Sequence, residues 1–430
     1  MGRNLVSDRR FLFLQGPHGP FFHQLGKMLR LAGAEVWRVG FNQGDRAFWF
    51  HSDSYIPFQE SQDQWAGRFK EIVQQKGITD ITLYGDTRPI HAQAVEIARE
   101  LGLRIHVFEE GYLRPYWVTY ERGGSNGNSR LMQMSVEKMQ DALALSDLDV
   151  PEAPAHWGDM RQHIFYGALY HYFVMLRNGE YRNFHPHRAL PVTHEFLLYF
   201  KRLMLMPTLW ANRVFATTKI KTGGFPYHLA LLQLEHDSSF QMHSPFSSMS
   251  EFLELVIEGF ATGAPGHHHI VFKAHPLENG QVPIRKQIKE LAKKHDVKGR
   301  VHYVRGGKLA QLLDHARSAV TVNSTAAQQV LWRGLPLKVF GDAVYSKPEF
   351  VSNQPLGSFF ATPNRPDNRA YKDYRDYLLE TSQVAGGFYS TKGRRQLLRQ
   401  VVDLMLAPQD PYDALESGNA APRQQLRIVT

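Results

Sequence analysis

Residues Ile81 to Gly111 read ITLYGDTRPIHAQAVEIARELGLRIHVFEEG, an apolar run, an amphipathic stretch over Ile90 to Leu101, and a second apolar run that ends in two glutamates. Short apolar runs separated by a helix are the pattern of a βαβ unit with buried, parallel strands. The same grammar extends toward the N-terminus through RFLFLQG, a helical Phe21 to Ala32, AEVWRVGF and a helical Gln64 to Gln75. It returns after residue 225 with YHLALLQLE, a helical Met249 to Thr262, HHIVFKAHP, a helical Ile284 to His295 and VHYVRG. A helical Leu309 to Ala316, SAVTVNS, a helical Ala326 to Gly334 and LPLKVFG complete that series. The fold class expected is α/β, GT-B-like, with two Rossmann-like domains facing an interdomain cleft and a basic aromatic helical insert. The expected boundaries are 1–159, 160–224 for the insert, 225–385, and 386–430 for a C-terminal helix and tail.

Charge separates these segments. The chain of 430 residues carries 50 Lys and Arg against 41 Asp and Glu, a formal +9. Residues 1–159 hold 17 basic and 20 acidic side chains, residues 160–224 nine and two, and the remainder 24 and 19. The insert therefore supplies +7 by itself. It interleaves Phe165, Tyr166, Tyr170, Tyr172, Phe173, Phe196, Tyr199, Phe200 and Trp210 with Arg177, Arg182, Arg188, Lys201, Arg202 and Arg213. Basic aromatic helices suit an anionic bilayer surface, and packing of the insert on its own domain is the plain alternative. The basic stretch comes with no recognised nucleic-acid motif, so nucleic acid is not an expected partner. No secretion signal is read at the N-terminus, and the best apolar stretch, Ile164 to Leu176, is too short to span a bilayer and is broken by Gly167 and His171. With no cysteine, disulfides, thiolate metal sites and a thiol nucleophile are excluded.

In open parallel sheets ligands bind beyond the carboxyl ends of strands, so the residues there are the candidates. Gly16-Pro17-His18-Gly19-Pro20 follows the first strand, and His18 is a candidate substrate contact or part of a plain turn. Glu109 and Glu110 close the RIHVFEEG strand, where adjacent carboxylates raise one another's pKa and make a usable general base. One is expected to face the cleft while the other pairs with Arg114. Asp237, before Ser238 and Ser239, is either a nucleophile or stabiliser, or a simple helix cap. Lys273 and His275 end the next strand as phosphate or carboxylate donors. His267-His268-His269 reads as a surface loop. Asn323, Ser324 and Thr325 open a helix and form either a phosphate site or an ordinary cap. Arg114 and Arg305 are candidate substrate contacts by residue type, Glu109 is a further one, and Ser238 or Ser239 offers hydrogen bonds beside Asp237.

Five segments together resemble the bacterial capsular polysaccharide biosynthesis and export proteins of the KpsS/LipB type. They are QGPHGPFF, VFEEGYLRPYWVTYE, LLQLEHDSSFQMHS, FKAHP and VNSTAAQQVLWRGLPLKVFGDAVY, and the resemblance spans roughly residues 10 to 365. It implies a retaining β-Kdo glycosyltransferase that moves Kdo from CMP-β-Kdo to a phosphatidylglycerol-type lipid, initiating the oligo-Kdo linker for capsule export. It further implies a peripheral position on the cytoplasmic face of the inner membrane, contact with other capsule synthesis and export proteins, and no metal or other cofactor. By the same resemblance Asp237 matches the nucleophile, Glu110 the base of an EDG or EEG motif, His275 a donor-binding HP motif and Ser324 a small-hydroxyl phosphate loop. The choice between Glu109 and Glu110 stays open. Rival readings are a nucleotide-sugar epimerase or hydrolase of the same fold, and a non-catalytic scaffold of the export complex.

Overall fold

The computed structural model describes residues 8–145, 153, 158–183, 205–276, 278 and 280–420. The chain forms two compact units, Met1–His187 with Asp373–Thr430, and Arg188–Lys372. In chain order the strands are β1 (Arg10–Phe13), β2 (Glu35–Gly40), β3 (Tyr55–Pro57), β4 (Asp80–Tyr84), β5 (Arg104–Glu110), β6 (Trp117–Arg122), β7 (Tyr227–Leu231), β8 (His269–Lys273), β9 (Val301–Val304), β10 (Ala316–Thr321), β11 (Leu337–Val339) and β12 (Gln383–Ala385).

The first unit holds a sheet in the order β12-β6-β5-β4-β1-β2-β3. Strands β1 to β5 run parallel, with Phe11 opposite both Val36 and Asp80. Strand β6 turns back antiparallel on β5, and β12 lies antiparallel on β6. The alternation in RFLF divides the core between the two faces of the sheet, as a period of two requires. Phe11 and Phe13 pack with the Phe21–Leu31 and Thr391–Leu406 helices, while Leu12 and Leu14 pack with Trp65, Phe69 and the Pro89–Glu100 helix. Each buried aromatic or aliphatic side chain contributes about 1.5–3 kcal/mol. At the lower end of the sheet the buried Asp80 accepts from Arg9 Nε and from His106 Nε2, both at 2.8 Å. These bonds outweigh the opposing effect of burial and hold the Asp80 carboxyl below the usual carboxylate range.

The second unit holds a fully parallel sheet in the order β11-β10-β7-β8-β9. Its core gathers Phe252, Val256 and Phe260 of the Met249–Gly263 helix with Ile270, Phe272, Val320 and Phe360. Counted from their own first strands, both sheets have the Rossmann order 3-2-1-4-5. Both therefore reverse direction between the first and fourth strands, β1 and β4 in one and β7 and β10 in the other.

Several expectations change. The insert is not a domain of its own: the Met160–Leu176 helix belongs to the first unit and the Met206–Thr222 helix to the second. Arg188, Phe196, Tyr199, Phe200, Lys201 and Arg202 lie outside the described residues. The C-terminal boundary moves to Asp373, because the chain returns to complete the first sheet with β12 and its core with the Thr391–Leu406 helix. The helix expected over Leu309 to Ala316 shrinks to Ala310–Leu313, since Ala316 already starts β10. The helix expected over Ala326 to Gly334 is a 3-10 turn, Thr325–Ala327, followed by Gln328–Leu331. Among the described residues no helix is long and apolar enough to cross a membrane.

Candidate functional site

Each unit builds a polar cluster at the carboxyl ends of its own strands. In the first, Gln15 follows β1 and donates from Nε2 to Asp45 Oδ2 at 3.0 Å. Its Oε1 accepts from Arg88 Nη1 at 3.4 Å, and that guanidinium lies 5.7 Å from the centre of the Tyr84 ring. Tyr84, at the end of β4, donates its hydroxyl to Glu110 Oε1 at 3.3 Å. Glu109 Oε1 accepts the Glu110 backbone N–H at 2.9 Å. Gly85 makes room for this carboxylate: its φ is +69°, and a Cβ there would stand 3.1 Å from Glu109 Oε2.

The two glutamates do not divide as expected. No ion pair joins either one to Arg114 among the described residues, and Arg114 Nε donates to the Gly111 carbonyl at 3.3 Å. Arg114 acts at longer range, and its charge, with that of Arg88, partly opposes the effect of burial on Glu109. Burial dominates, helped by the Glu110 charge, and pushes the Glu109 carboxyl up to about 7. Burial and the Glu110 carboxylate likewise raise the Tyr84 and Tyr389 phenols above their ordinary value. A carboxylate whose pKa lies near neutrality is the proton acceptor that general-base chemistry calls for.

The Met160–Leu176 helix covers this cluster. Tyr170 stacks on His18 with ring centres 4.3 Å apart and accepts from Asn42 Nδ2 at 2.7 Å. His163 stacks on Tyr389 at 4.0 Å, and the Arg394 guanidinium lies 5.4 Å from the centre of the Tyr166 ring. Gly19, at φ +112°, brings the loop so close that a Cβ would meet the Tyr166 ring at 3.0 Å. The packed reading of this helix thus holds for one face. Its other face leaves Met160, Ile164, Phe165, Tyr172 and Leu176 exposed.

In the second unit, Asp237 is the N-cap of the Ser238–His243 helix, its Oδ1 accepting the Ser239 N–H at 3.3 Å. The Ser238 side chain lies outside what is described. Lys273, at the end of β8, is only 5% exposed and bonds the Ala274 carbonyl at 3.1 Å. Burial, reinforced by the Arg213 guanidinium, brings its ammonium down to about 8. His275 is half-buried just beyond, and its carbonyl accepts the Glu278 N–H at 3.1 Å. Arg305 donates to the Glu278 carbonyl at 2.7 Å. Ser324 Oγ accepts the Ala326 N–H at 3.3 Å, which makes it a cap, and Thr325 beside it is half-buried.

Asn323 corrects the sequence reading. Its N–H and Oδ1 pair with Gln233 at 3.0 and 2.7 Å, while Nδ2 bonds the Ser239 and His243 carbonyls at 2.9 and 3.1 Å. Fully engaged, it clamps the β7 loop to the β10 loop instead of presenting a donor to ligand. The histidine triplet is a second correction. His267 is exposed, but His268 is buried with Nδ1 3.1 Å from His228 Nε2, and His269 Nδ1 lies 2.8 Å from His302 Nε2. These imidazoles sit at the amino ends of the strands, away from the candidate end. Among the described residues no cluster of His, Asp or Glu is suited to hold a metal ion. Sequence reading missed Gln15, Tyr84, Arg88, Tyr389 and Gln233, because glutamine, tyrosine and a lone arginine carry no motif until the strand order brings them together.

The family described as capsule polysaccharide biosynthesis protein matches residues 79–389. The chain is 30% identical over 395 residues to the capsule polysaccharide export protein KpsS of Escherichia coli, covering 90% of this chain and 98% of that protein. It is 31% identical over 392 residues to the capsule polysaccharide modification protein LipB of Neisseria meningitidis serogroup B, covering 90% and 93%. Among solved structures it is similar to Thermosulfurimonas dismutans KpsC, beta Kdo 2,7 transferase, at 13% identity and a TM-score of 0.43, covering 92% of this chain and 100% of that one.

Proposed function

The chain belongs to the capsule polysaccharide biosynthesis protein family, and from that premise we propose that it is a retaining glycosyltransferase that moves Kdo from CMP-β-Kdo to a phosphatidylglycerol-type lipid. One observation carries this reading. The strand ends of one Rossmann-like unit hold a carboxylate titrating near 7, and those of the other hold buried Lys273 beside Arg213. A proton acceptor and a cationic clamp are what transfer from an anionic nucleotide sugar to a hydroxyl demands.

In the first step the Asp237 carboxylate attacks the anomeric carbon. The bond from that carbon to the phosphate oxygen breaks, and CMP leaves with the electron pair, stabilised by Lys273, His275, Ser324 and Thr325. In the second step the lipid hydroxyl attacks the same carbon, its proton passes to the glutamate pair, and Asp237 departs. Two inversions give net retention. The half-buried Asp237 already serves as a cap, a role that uses one carboxylate oxygen. Glu109 is the better base by its pKa, and the Glu110 backbone N–H, which Glu109 Oε1 accepts, orients it. His18, Arg114 and Arg305 complete the substrate contacts, the arginines balancing the sugar's own carboxylate. The reaction needs no metal or other cofactor. It takes place at the cytoplasmic face of the inner membrane, with other capsule synthesis and export proteins as partners.

The purified protein incubated with CMP-Kdo and a fluorescent phosphatidylglycerol should yield a lipid heavier by one Kdo in mass spectrometry, and Asp237→Asn should abolish it. CMP release with an altered free sugar and no lipid product would identify an epimerase or hydrolase instead. Normal capsule assembly by Asp237 and Glu109 variants in cells would leave only a scaffold.

A further inference from the structure

The second unit carries a cavity that shares only Arg213 and Arg305 with the transfer chemistry. About 790 Å³ in volume, it lies between the Met206–Thr222 helix, the edge strand β9 and the Ile284–Lys294 helix. Its size falls within the range of small-molecule sites. Arg213, Lys219, Arg285, Lys286, Lys289 and Arg305 line it, and Glu278 is the one carboxylate among the described lining residues. That carboxylate is engaged, Oε1 accepting the Gly280 N–H at 2.7 Å.

The wall between these cations is apolar. Val282, Ile284, Ile288 and Val301 form its floor, with Ile284 and Ile288 buried in the core. Phe215 stands at the rim, 73% exposed, on a helix that also leaves Trp210 and Val214 in solvent. A large exposed aromatic beside cations is costly in water and favourable where hydrocarbon and anionic headgroups meet. A free phosphate would satisfy the cations but leave the apolar floor uncovered. A neutral lipid would cover the floor but leave the cations without a ligand anion, Lys286 having only the exposed Glu290 at 3.8 Å on its own helix.

We propose that this cavity binds one anionic phospholipid, its phosphate against Arg285, Lys286 and Lys289 and the start of an acyl chain against Phe215 and the floor. The site fixes the second unit to an anionic bilayer through Arg285, Lys286 and Lys289, none of which the transfer reaction uses, so it is read by binding and not by turnover. Each cation near an anionic surface is worth about a factor of five, so removing three costs on the order of 100-fold.

The test is flotation of the full-length protein with vesicles of phosphatidylcholine containing phosphatidylglycerol. Arg285→Gln, Lys286→Gln and Lys289→Gln together should weaken binding on the order of 100-fold. Lys392→Gln, Arg395→Gln and Arg399→Gln, equal in charge and exposed on the first unit, should stay within about twofold. Phe215→Ser, an exposed change that leaves the core intact, should weaken binding severalfold, and dihexanoyl phosphatidylglycerol should compete where inorganic phosphate and CMP do not. Wild-type binding by the triple variant would overturn the proposal. Equal loss in the control would do the same in favour of diffuse electrostatics, and equal competition by phosphate or CMP in favour of a soluble phosphate site.

Discussion

The two units share one strand order and the same use of burial, yet burial does opposite chemical work at their strand ends. In the first it raises Glu109 to about 7 and so retains a proton. In the second it lowers Lys273 to about 8 and so weakens a cation's hold on its proton. The cause is common, since a low-dielectric site disfavours whichever form is charged. The outcome differs because one crevice was furnished with acids and the other with bases. A shared fold therefore says where each site lies, and the residue types at the strand ends say what it does.

The sharpest way to break that comparison is to remove the acid. Glu109→Gln should lower kcat about 10²- to 10⁴-fold, the usual span for a general base, in a lipid-acceptor assay. The wild-type kcat/KM should rise with pH up to about 7 and fall again above about 8 as Lys273 loses its proton, and the variant should lose the rising limb. If Glu110→Gln removes the limb instead, the proton acceptor is Glu110 and the near-neutral carboxyl is only a neighbour. On the opposite side, Lys273→Met should reduce kcat/KM about 10- to 100-fold, the size of a charge-assisted hydrogen bond to the leaving phosphate, as read in steady-state kinetics. An equal loss of thermal stability with unchanged kinetics would make Lys273 a packing residue.

Protonation also separates the units at the level of stability. Burial, aided by neighbouring cations and imidazoles, lowers His228 to about 3 and His268 and His302 to about 4. With folded pKa values below the unfolded 6.5, their contribution is present above pH 6.5 and lost as pH falls from there through about 4. Glu109 and Glu121, both raised to about 7, behave in the reverse sense. Their contribution is full below the unfolded value near 4.5 and is lost as pH rises through 7. Hydrogen exchange, corrected for its intrinsic pH dependence, should show β7 and β8 opening about tenfold more readily at pH 5 than at pH 7.5, with β4 and β5 changing less. His106, lowered to about 4 in the first unit, works against that contrast. Equal loosening in both units would show that it outweighs the acids.

The parallel sheets were legible in the sequence because buried strands such as ITLY, HLAL and IVFK are continuous apolar runs, and their spacing forces crossovers. The candidate positions could be named as strand ends because that is where such folds bind. Three features were not. The return of Gln383–Ala385 to the first sheet depends on a pairing with Trp117–Thr119 across most of the chain, and nothing local in QVA announces it. The division of the insert hid for the same reason: Tyr170 and Tyr166 look like surface aromatics until Asn42, His18 and Arg394 arrive from distant segments. The state of each carboxylate was hidden as well. Glu109 and Glu110 are identical in sequence and differ only in what surrounds them.

Ser324 gives the finest test, because in one side chain it combines the structural and the functional roles that the sequence left open. Its Oγ accepts the Ala326 N–H as a cap, and a hydroxyl that accepts can still donate its proton to a phosphate. Ser324→Ala removes both, so thermal unfolding should report a loss of about 0.5–2 kcal/mol, with a rise in donor KM of less than tenfold. Ser324→Asn separates the two. Asparagine caps as well as serine does, so stability should return, while its larger amide cannot place a donor where the hydroxyl stood. A donor KM that stays raised in this stable variant assigns the hydroxyl to the phosphate. A KM that recovers with stability makes Ser324 a cap alone, and the anion clamp of the second unit then rests on Lys273, His275 and Thr325.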